Sequence, residues 1–188
     1  MKRIITLVLI LSGVSSMAQT VTDFASTDVT SDKRFTLRGA ASSHGIVIVF
    51  ISNTCPFDEY YYGRLNKIAS DYSGRIPVVF INSYSGDGES VAEMKSKAVA
   101  KRFTAPYLED KDQAIMRSLK ATRSPEAIVL KAGGDGFTVF YRGAVDDNAQ
   151  VATDVHNHYL AEAIEALLNG QRAPRPVVRP MGCVIRAN

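Results

Sequence analysis

Beyond its first stretch the chain has no second long apolar run, so the rest of it is expected to be soluble rather than membrane-spanning. Its basic residues form no concentrated face with aromatic or motif support, which argues against a nucleic-acid partner. The formal charge of +3 falls to +1 without Lys2 and Arg3, and the last 19 residues hold Arg172, Arg175, Arg179 and Arg186 with no acid, so the globular part is mildly acidic. Histidine is scarce: His156 and His158 stand at i, i+2, a poor spacing for sharing a metal on one helical face. No metal or organic cofactor is expected. No internal repeat appears, and 188 residues suit one domain with a sizeable core. Tryptophan is absent, and there are only two cysteines, Cys55 and Cys183.

The opening residues, MKRIITLVLILSGVSSMAQT, read as a signal for export. Lys2 and Arg3 supply the charge, Ile4 to Val14 the apolar run, and Ser16-Met17-Ala18 a small-x-small cleavage site. No cysteine lies near the cut, so a lipid anchor is not expected. The division is a signal over residues 1–18, a domain over 19–170, and a Pro- and Arg-rich tail over 171–188 carrying Cys183. The compartment is then periplasmic or outside the cell. There, an even pair of cysteines reads first as a disulfide, either a staple or a redox couple.

Gly45 to Ile51 and Ile76 to Asn82 are continuous apolar, β-branched runs, expected as strands buried on both faces. Between them Phe57, Tyr61, Leu65 and Ile68 recur at helical spacing, which makes a strand-helix-strand unit with a parallel pair. A helix is expected over Glu89 to Arg102 with Val91, Met94 and Ala98 on one face, then a short extended piece over Thr104 to Asp110 and a short helix over Asp112 to Leu119. Glu126 to Lys131 and Phe137 to Arg142 read as a hairpin around a Gly-rich turn, and Asp154 to Asn169 as a closing helix. This is an α/β domain. From Gln171 the chain should be an extended arm rather than a packed element.

Cys55 follows a buried strand and precedes Pro56, a residue favoured at the first position of a helix. Free amides and the positive end of the helix favour a thiolate there. Asp58 and Glu59 lie in the same turn, and their charge opposes it, so the sign of the net effect stays open at this stage.

FISNTCPF, then a helix, a strand and TRSPEAIVL, resembles the thioredoxin superfamily. The nearest resemblance is to redoxins of the alkyl hydroperoxide reductase and thiol-specific antioxidant type, with a C-P-[FY] motif and a terminal G-C-x-I-[KR] motif. Here these are Cys55-Pro56-Phe57 and Gly182-Cys183-Val184-Ile185-Arg186. The resemblance implies a thioredoxin-like fold, a central mixed sheet flanked by helices, with an extended C-terminal arm. It makes Cys55 the nucleophile and gives Pro125, preceded by Ser124, the place of a cis-proline beside the thiol. Thr54 stands where the family's tryptophan precedes the nucleophile, and Pro56, Phe57 and Ser124 become candidate substrate contacts.

The chain departs from thioredoxins in having Asp58 where a second cysteine would close a local disulfide. The buried acid that some members place before the strand's aromatic is Val49, so proton transfer needs another group or water. Cys183 is then the one resolving cysteine within the chain, borne on an arm long enough to reach. Ser52 resembles the hydroxyl of the peroxiredoxin [ST]-x-x-C motif, whose proline is replaced by Ile48; Arg123 is either that family's peroxide-polarising arginine or an exposed loop residue. The expected activity is thiol-disulfide exchange on a protein or small-molecule disulfide, with an external thiol reductant. A peroxidase acting on a hydroperoxide, and a non-catalytic binding module with a structural disulfide, are the alternatives.

Overall fold

Val47, Val49 and Ile51 point to one side of their strand and Ile46, Ile48 and Phe50 to the other, and all six are buried, because side chains alternate along a strand and both faces of this one are covered. The computed structural model describes residues 20–42, 44–134 and 136–187. The expected signal segment lies outside the described residues, as does Asp135 of the Gly-rich turn.

In chain order the elements are β1 (Thr20–Val21), β2 (Ala25–Asp28), β3 (Lys33–Thr36), α1 (Leu37–Ala40), β4 (Gly45–Phe50), α2 (Pro56–Asp71), β5 (Val78–Asn82) and α3 (Val91–Lys101). Then come β6 (Tyr107–Glu109), α4 (Ala114–Leu119), β7 (Arg123–Ser124), β8 (Glu126–Gly133), β9 (Gly136–Gly143), α5 (Tyr159–Leu168), β10 (Val177–Val178) and β11 (Cys183–Val184). The sheet runs β1-β9-β8-β4-β5-β6-β2-β3, with β10 beside β9. β4 pairs parallel with β5 and antiparallel with β8, so the sheet is mixed, as expected. One face packs against α2, α3 and α5 through Tyr61, Leu65, Met94, Leu160 and Ile164. The other packs against α1 and α4 through Leu37, Ile115 and Leu119. No helix among the described residues is long and apolar enough to cross a membrane.

Three elements depart from the sequence reading. The closing helix begins at Tyr159 rather than Asp154: the Asp147 carboxylate accepts the amides of His156 and Asn157, both at 3.0 Å, and holds the preceding segment in a loop. Val91 is exposed while Met94 and Ala98 are buried, since the first residue of α3, just after the Ser90 cap, precedes the turns that face the sheet. The tail is extended but packed. Val177 and Val178 pair parallel with Arg142 and Gly143, the amide of Arg142 donates to the Pro176 carbonyl at 3.0 Å, and the arm's far end forms β11. The missing periodicity hid this, because a strand of two residues leaves no alternating pattern.

Candidate active site

β4 ends at Phe50 and α2 starts at Pro56, so the turn between them sits at the carboxyl end of a central strand. Cys55 is the residue before the helix, in extended conformation, and is buried at 5 % exposure. One buried carboxylate organises the whole turn. Glu89 Oε1 accepts from Ser52 Oγ at 2.5 Å, Thr54 Oγ1 at 2.7 Å and the Thr54 amide at 3.1 Å. Its Oε2 accepts from the Asn53 amide at 3.0 Å and Asn82 Nδ2 at 2.6 Å. Ser52 Oγ in turn accepts the amides of Thr54 and Cys55, each at 3.1 Å. Burial works against the charge of Glu89, but the hydrogen bonds from Ser52, Asn82, Thr54 and Asn53 outweigh it and hold its carboxyl below the ordinary value. A carboxylate that accepts five donors stays ionised and fixes the backbone that presents Cys55.

Asp58 behaves in the opposite way. It is fully buried in the first turn of α2, where Oδ2 accepts from the Ser52 amide at 2.8 Å and from Ser124 Oγ. Burial pushes its carboxyl up to about 8, against those two hydrogen bonds, and nearby Glu89 adds to the rise. At neutral pH it is therefore largely protonated. With Oδ2 accepting twice, the proton belongs on Oδ1, which has no hydrogen-bond partner among the described residues. Glu59 is exposed and pairs with Lys97 at 3.7 Å and with Lys101. The two acids that the sequence sets against a Cys55 thiolate are thus a neutral one and a compensated one.

Cys183 is joined to Cys55 in a disulfide with a Cα–Cα distance of 6.0 Å. The arm reaches the thiol by pairing with the Pro125 loop: β11 lies antiparallel on β7, with Cys183 opposite Ser124 and Val184 opposite Arg123. The Ser124–Pro125 bond is cis. Cys55 Sγ lies 3.3 Å from the Ser124 carbonyl oxygen, within reach of an S–H once the disulfide is reduced. A second buried carboxylate holds this loop, for Glu126 Oε2 accepts the amides of Thr122 at 2.7 Å and Arg123 at 3.1 Å. Beyond the bridge, the Ile185 amide donates to the Thr122 carbonyl at 2.9 Å, and the Ile185 side chain is buried in the cluster that contains Phe50, Ile115 and Leu119.

The residues singled out in the sequence converge here. Cys55, Cys183, Ser124 and Pro125 form the centre, and Pro56 is exposed beside it. Phe57 is half-buried and packs on the core, while Thr54 turns its hydroxyl to Glu89. Ser52 has its hydroxyl fully engaged by Glu89 and two amides, and Arg123 donates to the Gly182 carbonyl at 2.7 Å. His156 is exposed, and no group of His, Cys, Asp and Glu that would hold a metal ion occurs among the described residues. Glu89 and Glu126 escaped the sequence reading. An acid at a helix start or just after a proline looks like a cap or a surface charge, and only the fold turns each inward.

No family model matches the chain, and no curated protein matches it. Solved structures do. A hypothetical protein from Sinorhizobium meliloti is 27% identical, with a TM-score of 0.81 over 94% of this chain and 97% of that one. An uncharacterized conserved protein from Geobacillus kaustophilus is 28% identical, with a TM-score of 0.79 over 90% of each chain. A secreted Mycobacterium tuberculosis disulfide oxidoreductase, described as homologous to E. coli DsbE, is 20% identical, with a TM-score of 0.57 over 76% of this chain and 95% of that one. The fold is thioredoxin-like.

Proposed function

We propose that this thioredoxin-like chain is an exported thiol-disulfide oxidoreductase in which Cys55 is the nucleophile and Cys183 resolves. The observation that carries the reading is the pairing of Cys183 with the residue before cis-Pro125 while its sulfur bonds the helix-start cysteine. A staple between packed elements needs no such strand against this loop. In the reduced state the Cys55 thiolate, favoured by the positive end of the α2 dipole, attacks a substrate disulfide and displaces one substrate thiolate. Cys183 then attacks Cys55 Sγ, the second substrate thiolate leaves, and the intramolecular disulfide reforms. Two electrons pass to the substrate, and an external thiol restores the reduced pair.

The peroxidase alternative has less support. Ser52, its candidate hydroxyl, is spent on Glu89 and two backbone amides, and Arg123 is spent on the arm in the disulfide state. Reduction of insulin disulfides by the reduced protein, abolished in Cys55→Ser and without peroxide consumption, is the expected result. Peroxide consumption that depends on Cys55, with no exchange activity, would overturn the assignment. A Cys55 that resists alkylation near neutral pH, with neither activity present, would leave the binding module.

A further inference from the structure

The docked arm is a peptide lying in a groove, and each of its positions meets a different constraint. A Cβ at Gly182 would fall inside the Ser124 carbonyl and against the Pro125 nitrogen, so only glycine fits there. The carbonyls of Gly182, Cys183 and Arg186 accept from Arg123 Nη1 at 2.7 Å, Tyr84 Oη at 3.0 Å and Gln113 Nε2 at 2.7 Å. Ile185 is 7% exposed in the apolar cluster, whereas Met181 and Val184 are 55% and 53% exposed. Main-chain bonds hold the strand, and two side-chain positions filter it. This is the pattern of a strand-addition site.

We propose that the β7 edge, once vacated by reduction, takes an extended cysteine-bearing segment of a client protein with glycine before the cysteine and an aliphatic residue two places after it. This rests on the thiol-disulfide reading above. The arm is the occupant that shows what fits: its backbone satisfies Ser124, Arg123, Thr122, Tyr84 and Gln113, and its two restricted positions report the shape of the groove. In the exchange, Cys55 thiolate forms a disulfide with the seated client cysteine and the client's other sulfur leaves as a thiolate. Client strand and arm need the same backbone partners. Resolution is therefore a displacement: Cys183 attacks Cys55 Sγ and the client sulfur leaves as its strand cedes β7 to the arm.

The test uses the reduced full chain and synthetic peptides with the sequence of residues 180–187, the cysteine carried as a mixed disulfide with thionitrobenzoate. Release of the chromophore gives the rate, and each rate is divided by that of the same peptide with dithiothreitol to remove intrinsic reactivity. Peptides carrying Gly182→Ala or Ile185→Asp are expected to react at least about tenfold more slowly, and Val184→Asp within about twofold of the parent. Equal normalised rates for all four overturn the groove while leaving exchange intact. If no peptide reacts with the protein, exchange fails, and the groove is judged by affinity alone. Cysteine-free Cys183→Ser peptides are then titrated into the reduced Ile185→Asp chain, whose own arm is held less firmly. A parent preference of about tenfold over the Gly182→Ala peptide sustains the groove, and equal affinities overturn it.

Discussion

The Ser52 hydroxyl lies 2.5 Å from Glu89 Oε1 and accepts the amides of Thr54 and Cys55, so one side chain passes the hold of a buried carboxylate to the backbone of Cys55. Removing Glu89 takes an acceptor from five donors, of which the Thr54 amide keeps Ser52 Oγ and Asn82 Nδ2 keeps the Tyr107 hydroxyl. Glu89→Ala is expected to destabilise the fold by about 3 kcal/mol in urea unfolding at neutral pH, and Glu89→Gln by less, because the amide keeps one acceptor oxygen. The folded carboxyl titrates below its ordinary value of 4.5, so its contribution is whole above that value and is lost as the pH falls through the lower folded value. Glu89→Gln should therefore flatten the acid limb of the stability profile. Urea midpoints equal to the parent's would sink this account.

Asp58 has the reverse sign. Its folded value near 8 lies above the ordinary 3.8, so between them the native state holds a proton that the unfolded chain has released. Stability contributed by the neutral carboxyl is complete below 3.8 and declines as the pH rises toward 8, by up to about 1.4 kcal/mol per pH unit for one proton. Unfolding free energies measured from pH 5 to 8 should fall more steeply in the parent than in Asp58→Asn. Parallel profiles would show that Asp58 does not titrate there.

Gly182→Ala tests the close approach at the Ser124 carbonyl. The clash exists only with the arm docked, so the variant should weaken the oxidised form and spare the reduced one. An overpacking cost of about 1.4 kcal/mol raises the reduction potential by about 30 mV, readable in glutathione redox equilibria. An unchanged potential would mean that the arm rides further from β7.

Reduction should also divide the arm. The Ile185 amide, bonded to Thr122, is expected to exchange its hydrogen faster in the reduced protein. The Arg142 amide, bonded to Pro176, should keep its protection, because β10 does not depend on the disulfide. Hydrogen exchange by mass spectrometry or NMR reads both. Equal protection of Ile185 in the two states would show an arm that does not leave.

Much of the frame was legible because it rests on patterns that survive in one dimension. The apolar runs Gly45 to Ile51 and Ile76 to Asn82 read as doubly buried strands, which the fold realises as Gly45–Phe50 and Val78–Asn82, and the spacing of Tyr61 and Leu65 read as the helix between them. Cys55 and Pro56 were visible from their place between a buried strand and a helix start, and Pro125 through the resemblance to the thioredoxin superfamily. What escaped depends on long-range closure. Glu89 joins the site from across 34 residues, and nothing near it in sequence marks it as buried. Asp58 was visible as an acid in the first turn, but its neutrality comes from a burial that only the packed helix imposes. The arm's two strands are each two residues long and owe their pairing to β7 and β9, so their own sequence carries no trace of it.

The β10 anchor sets how far the Cys183 thiol strays once the disulfide is reduced. Only Arg179 to Gly182 lie between Val178 and Cys183, which gives a fully extended reach of about 17 Å at roughly 3.4 Å per residue. A sulfur confined to a sphere of that radius has an effective concentration on the order of tens of millimolar. Free thiols in solution compete with it only at comparable concentration. In the proposed exchange, the lifetime of a mixed disulfide at Cys55 is then governed by how firmly its guest is seated, and the short tether serves as a timer.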